Sequence, residues 1–155
     1  MSDTNNIKVI CKNRKARFNY TVEDTFEAGI SLLGSEVKSL RNGKANLLDA
    51  YGKIQRGELF LVDAHISPYE QANRANHNPL RQRKLLMHKH QIKRLTGKVT
   101  ERGFSLIPLK LYFRNGKVKV QLALAKGKRA YDKRESIRKK DQRRDLERMM
   151  KYKGR

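Results

Sequence analysis

A single cysteine, Cys11, excludes an internal disulfide and any zinc site built from several thiolates, and it fits a reducing compartment. No apolar run approaches the roughly 18 residues that a membrane span needs. The polar start Ser2-Asp3-Thr4-Asn5-Asn6 lacks the apolar core of a signal peptide. A soluble, cytoplasmic protein with no membrane partner is expected. Catalytic signatures are missing too: there is no nucleophile elbow, glycine-rich phosphate loop or carboxylate pair in an apolar setting. His65, His77, His88 and His90 match no zinc spacing, and His88 and His90, two apart on a predicted helix, do not share a face. Neither an enzyme nor a metal- or cofactor-binding protein is expected.

Acidic residues are scarce as well. The 155 residues carry 37 Lys and Arg against 15 Asp and Glu, a formal net charge of +22. Carboxylates such as Glu27, Asp49, Asp63 and Glu70 read as scattered ion-pair partners on a basic protein. In the last thirty residues, from Lys126, fourteen basic side chains face five acidic ones, and Ile137 and Leu146 are the sole branched aliphatics. Such a segment cannot offset its ordering entropy by burial, so it should be disordered or only transiently helical alone and fold against a polyanion. Tyr131 interrupts the charge before Asp132-Lys133-Arg134 and adds a stacking surface. Two i,i+4 pairs, Glu135 with Lys139 and Glu147 with Lys151, favour a helix that forms on contact, and Met149 and Met150 near its end can pack adaptably.

The remaining residues, 1–125, read as one mainly β domain with short helices, residues 1–6 expected to be disordered. In Gly34-Ser35-Glu36-Val37-Lys38-Ser39-Leu40-Arg41-Asn42-Gly43, Ser35 is the expected N-cap and Gly43 the stop, with Lys38 and Arg41 on the side away from Val37 and Leu40. Tyr51–Gln55 and Glu58–His65 flank Arg56-Gly57 as a hairpin. A second hairpin turns at Asn115-Gly116: Ile107, Leu109, Leu111 and Phe113 alternate before it and Val118, Val120, Leu122 and Leu124 after it. Lys110, Arg114, Lys117 and Lys119 then fall on the opposite face or at the turn. Pro108 makes its strand an edge or a bulged one. Leu85–Lys98 reads as a helix ending near Gly97, preceded by a long loop from Pro68 with the turn cluster Asn76-His77-Asn78-Pro79. Short strands with a helix between hairpins suit a small oligonucleotide-binding-type antiparallel barrel, with a split α+β sandwich as the alternative.

Two further basic clusters, Asn13-Arg14-Lys15-Ala16-Arg17 and Arg81-Gln82-Arg83-Lys84, join the tail as phosphate-seeking surface. Selectivity for folded RNA needs amides, carboxylates and apolar contacts beside such cations, and Asn13, Glu27 and Leu86 are residues of those kinds. Taken one by one, they read equally as a cap, an ion-pair partner and core packing. A structural ribosomal protein and a nucleic-acid hydrolase are the competing classes for the whole chain.

Asn13-Arg14-Lys15-Ala16-Arg17, Phe26-Glu27-Ala28-Gly29-Ile30, Gly34-Ser35-Glu36-Val37-Lys38-Ser39-Leu40-Arg41, Arg83-Lys84-Leu85-Leu86, Ala125-Lys126-Gly127-Lys128 and Asp132-Lys133-Arg134 stand in one order along the chain. Together they closely resemble the SmpB family, the SsrA-binding proteins of bacteria, over residues 9 to about 153. The resemblance implies an oligonucleotide-binding-type barrel that holds the tRNA-like domain of transfer-messenger RNA and brings it to stalled 70S ribosomes for trans-translation. Alanyl-tRNA synthetase and elongation factor Tu are implied as indirect partners through the RNA, and the protein itself as a monomer. It implies RNA recognition by Asn13, Glu27 and Leu86, beside which Arg14, Lys15, Arg17, Lys38, Arg41, Arg83, Lys84, Lys126 and Lys128 are expected as phosphate contacts. It also implies that the tail, with Tyr131, Asp132, Lys133, Arg134, Ile137, Met149 and Met150, becomes helical in the decoding centre and empty message channel. Many members place His where this chain has Tyr131, a ring that can stack but carries no proton at neutral pH.

Overall fold

The computed structural model describes residues 6–70, 76–128 and 130–153, so the expectation for residues 1–6 falls, except for Asn6, outside the described residues. The elements in order are β1 (Ile7–Lys12), α1 (Ala16–Asn19), β2 (Tyr20–Ile30), α2 (Gly34–Arg41), β3 (Ala45–Asn46), β4 (Tyr51–Gln55), β5 (Glu58–Val62), β6 (His65–Ile66), β7 (Arg83–Leu86), α3 (Lys89–Arg102), β8 (Ser105–Arg114), β9 (Lys117–Gly127) and α4 (Ala130–Lys153). Seven strands form one antiparallel sheet in the order β1-β8-β4-β5-β7-β2-β9, and β9 also pairs with β8, so the pairings close into a ring. β3 and β6 make a separate two-stranded element.

Both expected hairpins are present. Arg56 and Gly57 have φ of 52° and 77°, and Asn115 and Gly116 have 52° and 80°, the left-handed pair that matches the twist of a two-residue hairpin. The bulge invited by Pro108 is also present, as a register shift between Pro108 and Lys110. It changes the expected alternation, because Leu109 and Leu111 serve different cores. Leu106 and Leu111 belong to the main apolar cluster with Leu59, Leu61, Leu85, Leu122 and Leu124. Ile107 and Leu109 belong to a second cluster with Ala16, Ala123 and Ala125. A matching shift between Val22 and Asp24 on β2 turns Val22 to the second cluster and Phe26 to the first.

Three local expectations are corrected. The predicted helix 85–98 begins at Lys89 and runs through Gly97 to the left-handed Gly103. Leu85 and Leu86 lie instead in strand β7, where Leu85 pairs with Leu59 and Ile30. At α2 the N-cap is Leu33, whose side chain cannot cap; Glu36 reaches back to accept its amide at 2.8 Å, and the Ser35 hydroxyl goes to His77. His88 lies outside the helix as its N-cap, and this lets its ring stack on that of His90, with centroids 5.6 Å apart.

The ring closes at a single β4–β8 pair, Gly52 with Leu106. A Cβ on Gly52 would lie 2.8 Å from the Leu106 Cβ, an atom that cannot swing away because it is bonded to the backbone. Closure therefore needs glycine here.

A buried ionic network ties the layers together. Glu36 and Arg83 are both 0% exposed. Arg83 donates to the Glu36 carboxylate, to Ala64 O at 2.7 Å and to Pro79 O at 3.1 Å. Arg81 Nη2 adds a second donor to Glu36 at 2.7 Å. Burial alone would raise the Glu36 pKa, but the Arg81, Leu33 and Arg83 donors outweigh it and hold the carboxyl below its ordinary range. Nearby, Ser39 donates to Ser67 O at 2.6 Å, and His77 bridges the Ser35 hydroxyl and Ile66 O. Cys11 is half-buried, and burial lifts its thiol pKa to about 11, although a backbone hydrogen bond with Leu111 opposes the rise.

Two stability outcomes follow. Gly52→Ala should cost about 1–3 kcal/mol by overpacking, read as a lower midpoint in denaturant unfolding. Glu36→Gln should cost about 3 kcal/mol or more by leaving Arg83 buried without a counter-charge. Since the Glu36 pKa falls on folding, its contribution is full above the unfolded-state value and disappears as pH drops through the folded one. The variant should therefore lose that component of acid sensitivity in a pH series of melts. An unchanged midpoint in either variant contradicts the assigned role.

Candidate nucleic-acid interface

Strand pairing sets the site. Across β2, β9 and β8, Glu27 is opposite Gln121, which is opposite Lys110. One step along, Leu86, Gly29, Lys119 and Tyr112 form the next row, and Lys117 faces Arg114 beyond it. Directly paired residues project to the same side, so one sheet face carries Glu27, Leu86, Gln121, Tyr112 and the cations Lys110, Arg114, Lys117 and Lys119. Leu86 is 53% exposed, a branched aliphatic held at the surface beside a glycine.

Glu27 is fixed at the centre of this basic field. Its Oε2 accepts the Tyr112 hydroxyl at 2.5 Å and Arg114 Nη1 at 2.7 Å. Burial works to raise its pKa, but Tyr112, Arg114 and the charge of Lys119 together hold it below the usual carboxylate range. Conversely, burial and the adjacent carboxylate push the Tyr112 hydroxyl upward, so it stays a protonated donor. The result is an oriented, ionised acceptor, able to take hydrogen bonds from base N–H groups or a 2′-hydroxyl amid phosphate-binding cations.

Asn13 occupies the handover on one edge of β8, between the stretch paired with β1 and the single pair with β4. Its amide donates to Leu109 O at 2.8 Å, and its Nδ2 donates to Pro108 O at 3.1 Å and Leu47 O at 3.2 Å. These bonds satisfy carbonyls at the Pro108 bulge. Its Oδ1 is buried without a partner among the described residues. Exposed Arg14 and Arg17 line a concavity with Asn13, Lys110 and Gln121, which joins the first basic cluster to the Glu27 face. Lys15 is exposed in the same turn.

The other expected residues are placed differently. Arg83 is the clearest correction: it was expected at an RNA surface, but it is wholly buried and committed to Glu36, Ala64 and Pro79. Its neighbour Lys84 is exposed and lies 3.4 Å from Glu58. Lys38 and Arg41 ride on α2, which packs against β6, and the Lys38 ammonium is 5.6 Å from the Tyr69 ring centre. Lys126 lies 4.7 Å over the Phe104 ring, and the Lys128 amide donates to Asn19 O at 2.9 Å. Tyr112, Lys110 and Gln121 were not assigned to the site from sequence, although the outward positions of the second hairpin held the signal.

From Ala130 to Lys153 the structure shows one continuous helix. The segment contains neither glycine nor proline and is rich in Lys, Arg, Glu and Met, all good helix formers. Ile137, Leu146, Met149 and Met150 are 49–75% exposed along it. Lys133 is partly exposed and Arg134 exposed, whereas the side chains of Tyr131 and Asp132 lie outside the described residues. Glu147 pairs with Arg143 at 3.9 Å, the turn before it, rather than with Lys151. No helix among the described residues is long and apolar enough to cross a membrane.

The model of the SmpB protein family matches residues 10–152. The SsrA-binding protein of Symbiobacterium thermophilum is 62% identical over 145 residues, covering 93% of this chain and 92% of the relative. That of Syntrophobacter fumaroxidans is 60% identical over 144 residues, covering 93% and 89%. A chain from the solved structure described as "tmRNA-SmpB: a journey to the center of the bacterial ribosome" superposes with a TM-score of 0.66 at 48% identity, covering 83% of this chain and 94% of that one. With near full-length matches in sequence and fold, the chain belongs to the SmpB family.

Proposed function

We propose that this protein is an RNA-binding adaptor that binds transfer-messenger RNA and brings it to stalled ribosomes for trans-translation, with no catalysis of its own. Family membership over nearly the whole chain is the observation that carries this reading. The chain similar to it in the ribosomal tmRNA-SmpB structure supports the same pair of partners. A cytoplasmic location is part of the same proposal, since stalled ribosomes are its site of action.

The sheet face around Glu27 is the proposed seat of the tRNA-like domain. Arg14, Lys15, Arg17, Lys110 and Lys119 neutralise phosphates there. Glu27, Asn13 and Leu86 supply the acceptor, amide and apolar contact that charge alone lacks. The remaining basic side chains, Lys38, Arg41, Lys84, Lys126 and Lys128, extend the field around it. Helix α4 is proposed to enter the decoding centre and vacant message channel, its Lys and Arg side chains meeting ribosomal phosphates while Tyr131 stacks on a base.

Two outcomes test this assignment. Glu27→Gln should weaken binding to the tRNA-like domain by about tenfold, the scale of one charge-assisted hydrogen bond, while leaving binding to random RNA unchanged in competition titrations. Equal loss on both RNAs removes Glu27 from specific recognition. A chain ending at Lys128 keeps β9 and its bond to Asn19 intact. It should retain preference for transfer-messenger RNA over ordinary tRNA but fail to support tagging in a reconstituted rescue assay. Full tagging without α4 contradicts the proposed role of the tail.

A further inference from the structure

A second concavity, of about 470 Å³, lies between α1, the segment 48–52 and the start of β8, and shares Asn13 with the concavity beside the Glu27 face. That volume is in the range of small-molecule sites, roughly 300–1,000 Å³. Tyr20, Tyr51 and the buried Phe104 are among its lining residues, with Asn19, Asp49 and Ser105 as polar ones. Among the described residues, the side-chain polar atoms of Asn19, Tyr20, Asp49, Tyr51 and Ser105 have no intramolecular hydrogen-bond partner. Asp49, expected from sequence to be an ion-pair partner, is exposed and has none among the described residues, although the chain carries a net charge of +22.

The basic rim selects the ligand class. Lys126 Nζ lies over Phe104, and the Lys128 amide is bound to Asn19 O, so the chain leading into the cationic helix α4 leaves from the edge of the cleft. Aromatic faces beside cations are the usual platform for an unstacked base and its phosphate. A carboxylate accepts hydrogen bonds and donates none. Of the four bases, guanine alone offers two adjacent donors, N1–H and the N2 amine, on its Watson–Crick edge, a match for the two oxygens of Asp49.

We infer that this cleft binds a splayed guanine of RNA, with Asp49 taking its N1–H and N2–H donors. The inference rests on the proposed adaptor role. The guanine belongs either to transfer-messenger RNA or to ribosomal RNA near the root of the tail.

The test compares full-length wild type with Asp49→Asn, bound to transfer-messenger RNA alone and with that RNA in stalled ribosomes. Both assemblies are probed with a reagent that modifies N1 and N2 of unpaired guanines. One guanine should be protected by the wild type and become at least about tenfold more reactive with the variant, the discrimination expected of one bidentate contact. Its appearance in the first assembly names transfer-messenger RNA as the source, and its appearance only in the second names ribosomal RNA. If the variant binds transfer-messenger RNA normally and no guanine in either assembly depends on Asp49, the cleft inference is overturned while the adaptor role stands. If the wild type itself fails to prefer transfer-messenger RNA, both fall.

Discussion

The charge pair of Glu36 and Arg83 holds the architecture. Its two side chains come from α2 and β7, and Arg83 additionally grips the carbonyls of Ala64 and Pro79 at the two ends of the long connection between β5 and β7. A buried ion pair gives little net stability compared with well-packed apolar groups, but it is unforgiving of rearrangement because either charge left alone is costly. The pair therefore acts as a register pin. With α2, β7 and the connection held together, Leu85 pairs with Leu59 and Ile30, and Leu86 projects on the side of the Glu27 face.

Much of the fold was legible in the sequence, and what was not has specific causes. Both two-residue turns and the Pro108 irregularity were announced by local chemistry. The consequence of the bulge was hidden, because alternation counted residue by residue assumes an unbroken register. Once Leu109 is extruded from it, parity reverses and one hairpin serves two cores. Local pattern alone starts helix α3 too early, because Leu85 and Leu86 suit a helix face as well as a strand. Their strand state is decided by β5 and β2, neighbours distant in sequence. The partly basic motif Arg83-Lys84-Leu85-Leu86 separates into a structural half and an exposed half, since alternate strand residues point opposite ways. Composition cannot say which arginine is inside.

The surface has a comparable division of labour. Most of the +22 charge is non-selective by nature, since phosphates are the same everywhere along RNA. In the proposed recognition of RNA, discrimination falls to the few groups that are not cations. Glu27 is useful there because its surroundings keep it ionised: Tyr112 and Arg114 orient one oxygen, and the neighbouring lysine lowers the cost of its charge.

Helix α4 also has a mechanical consequence. Its 24 residues, at 1.5 Å rise each, make a rod about 36 Å long, anchored near its start by the Lys128–Asn19 bond. A rod on such a pivot is a lever: a rotation of the body by roughly 10° displaces the far tip, where Met149 and Met150 lie, by about 6 Å, more than one helical turn. Small adjustments in how the domain sits on its RNA are thereby magnified at the distant end, so the pivot must be stiff for the tip to be placed reproducibly.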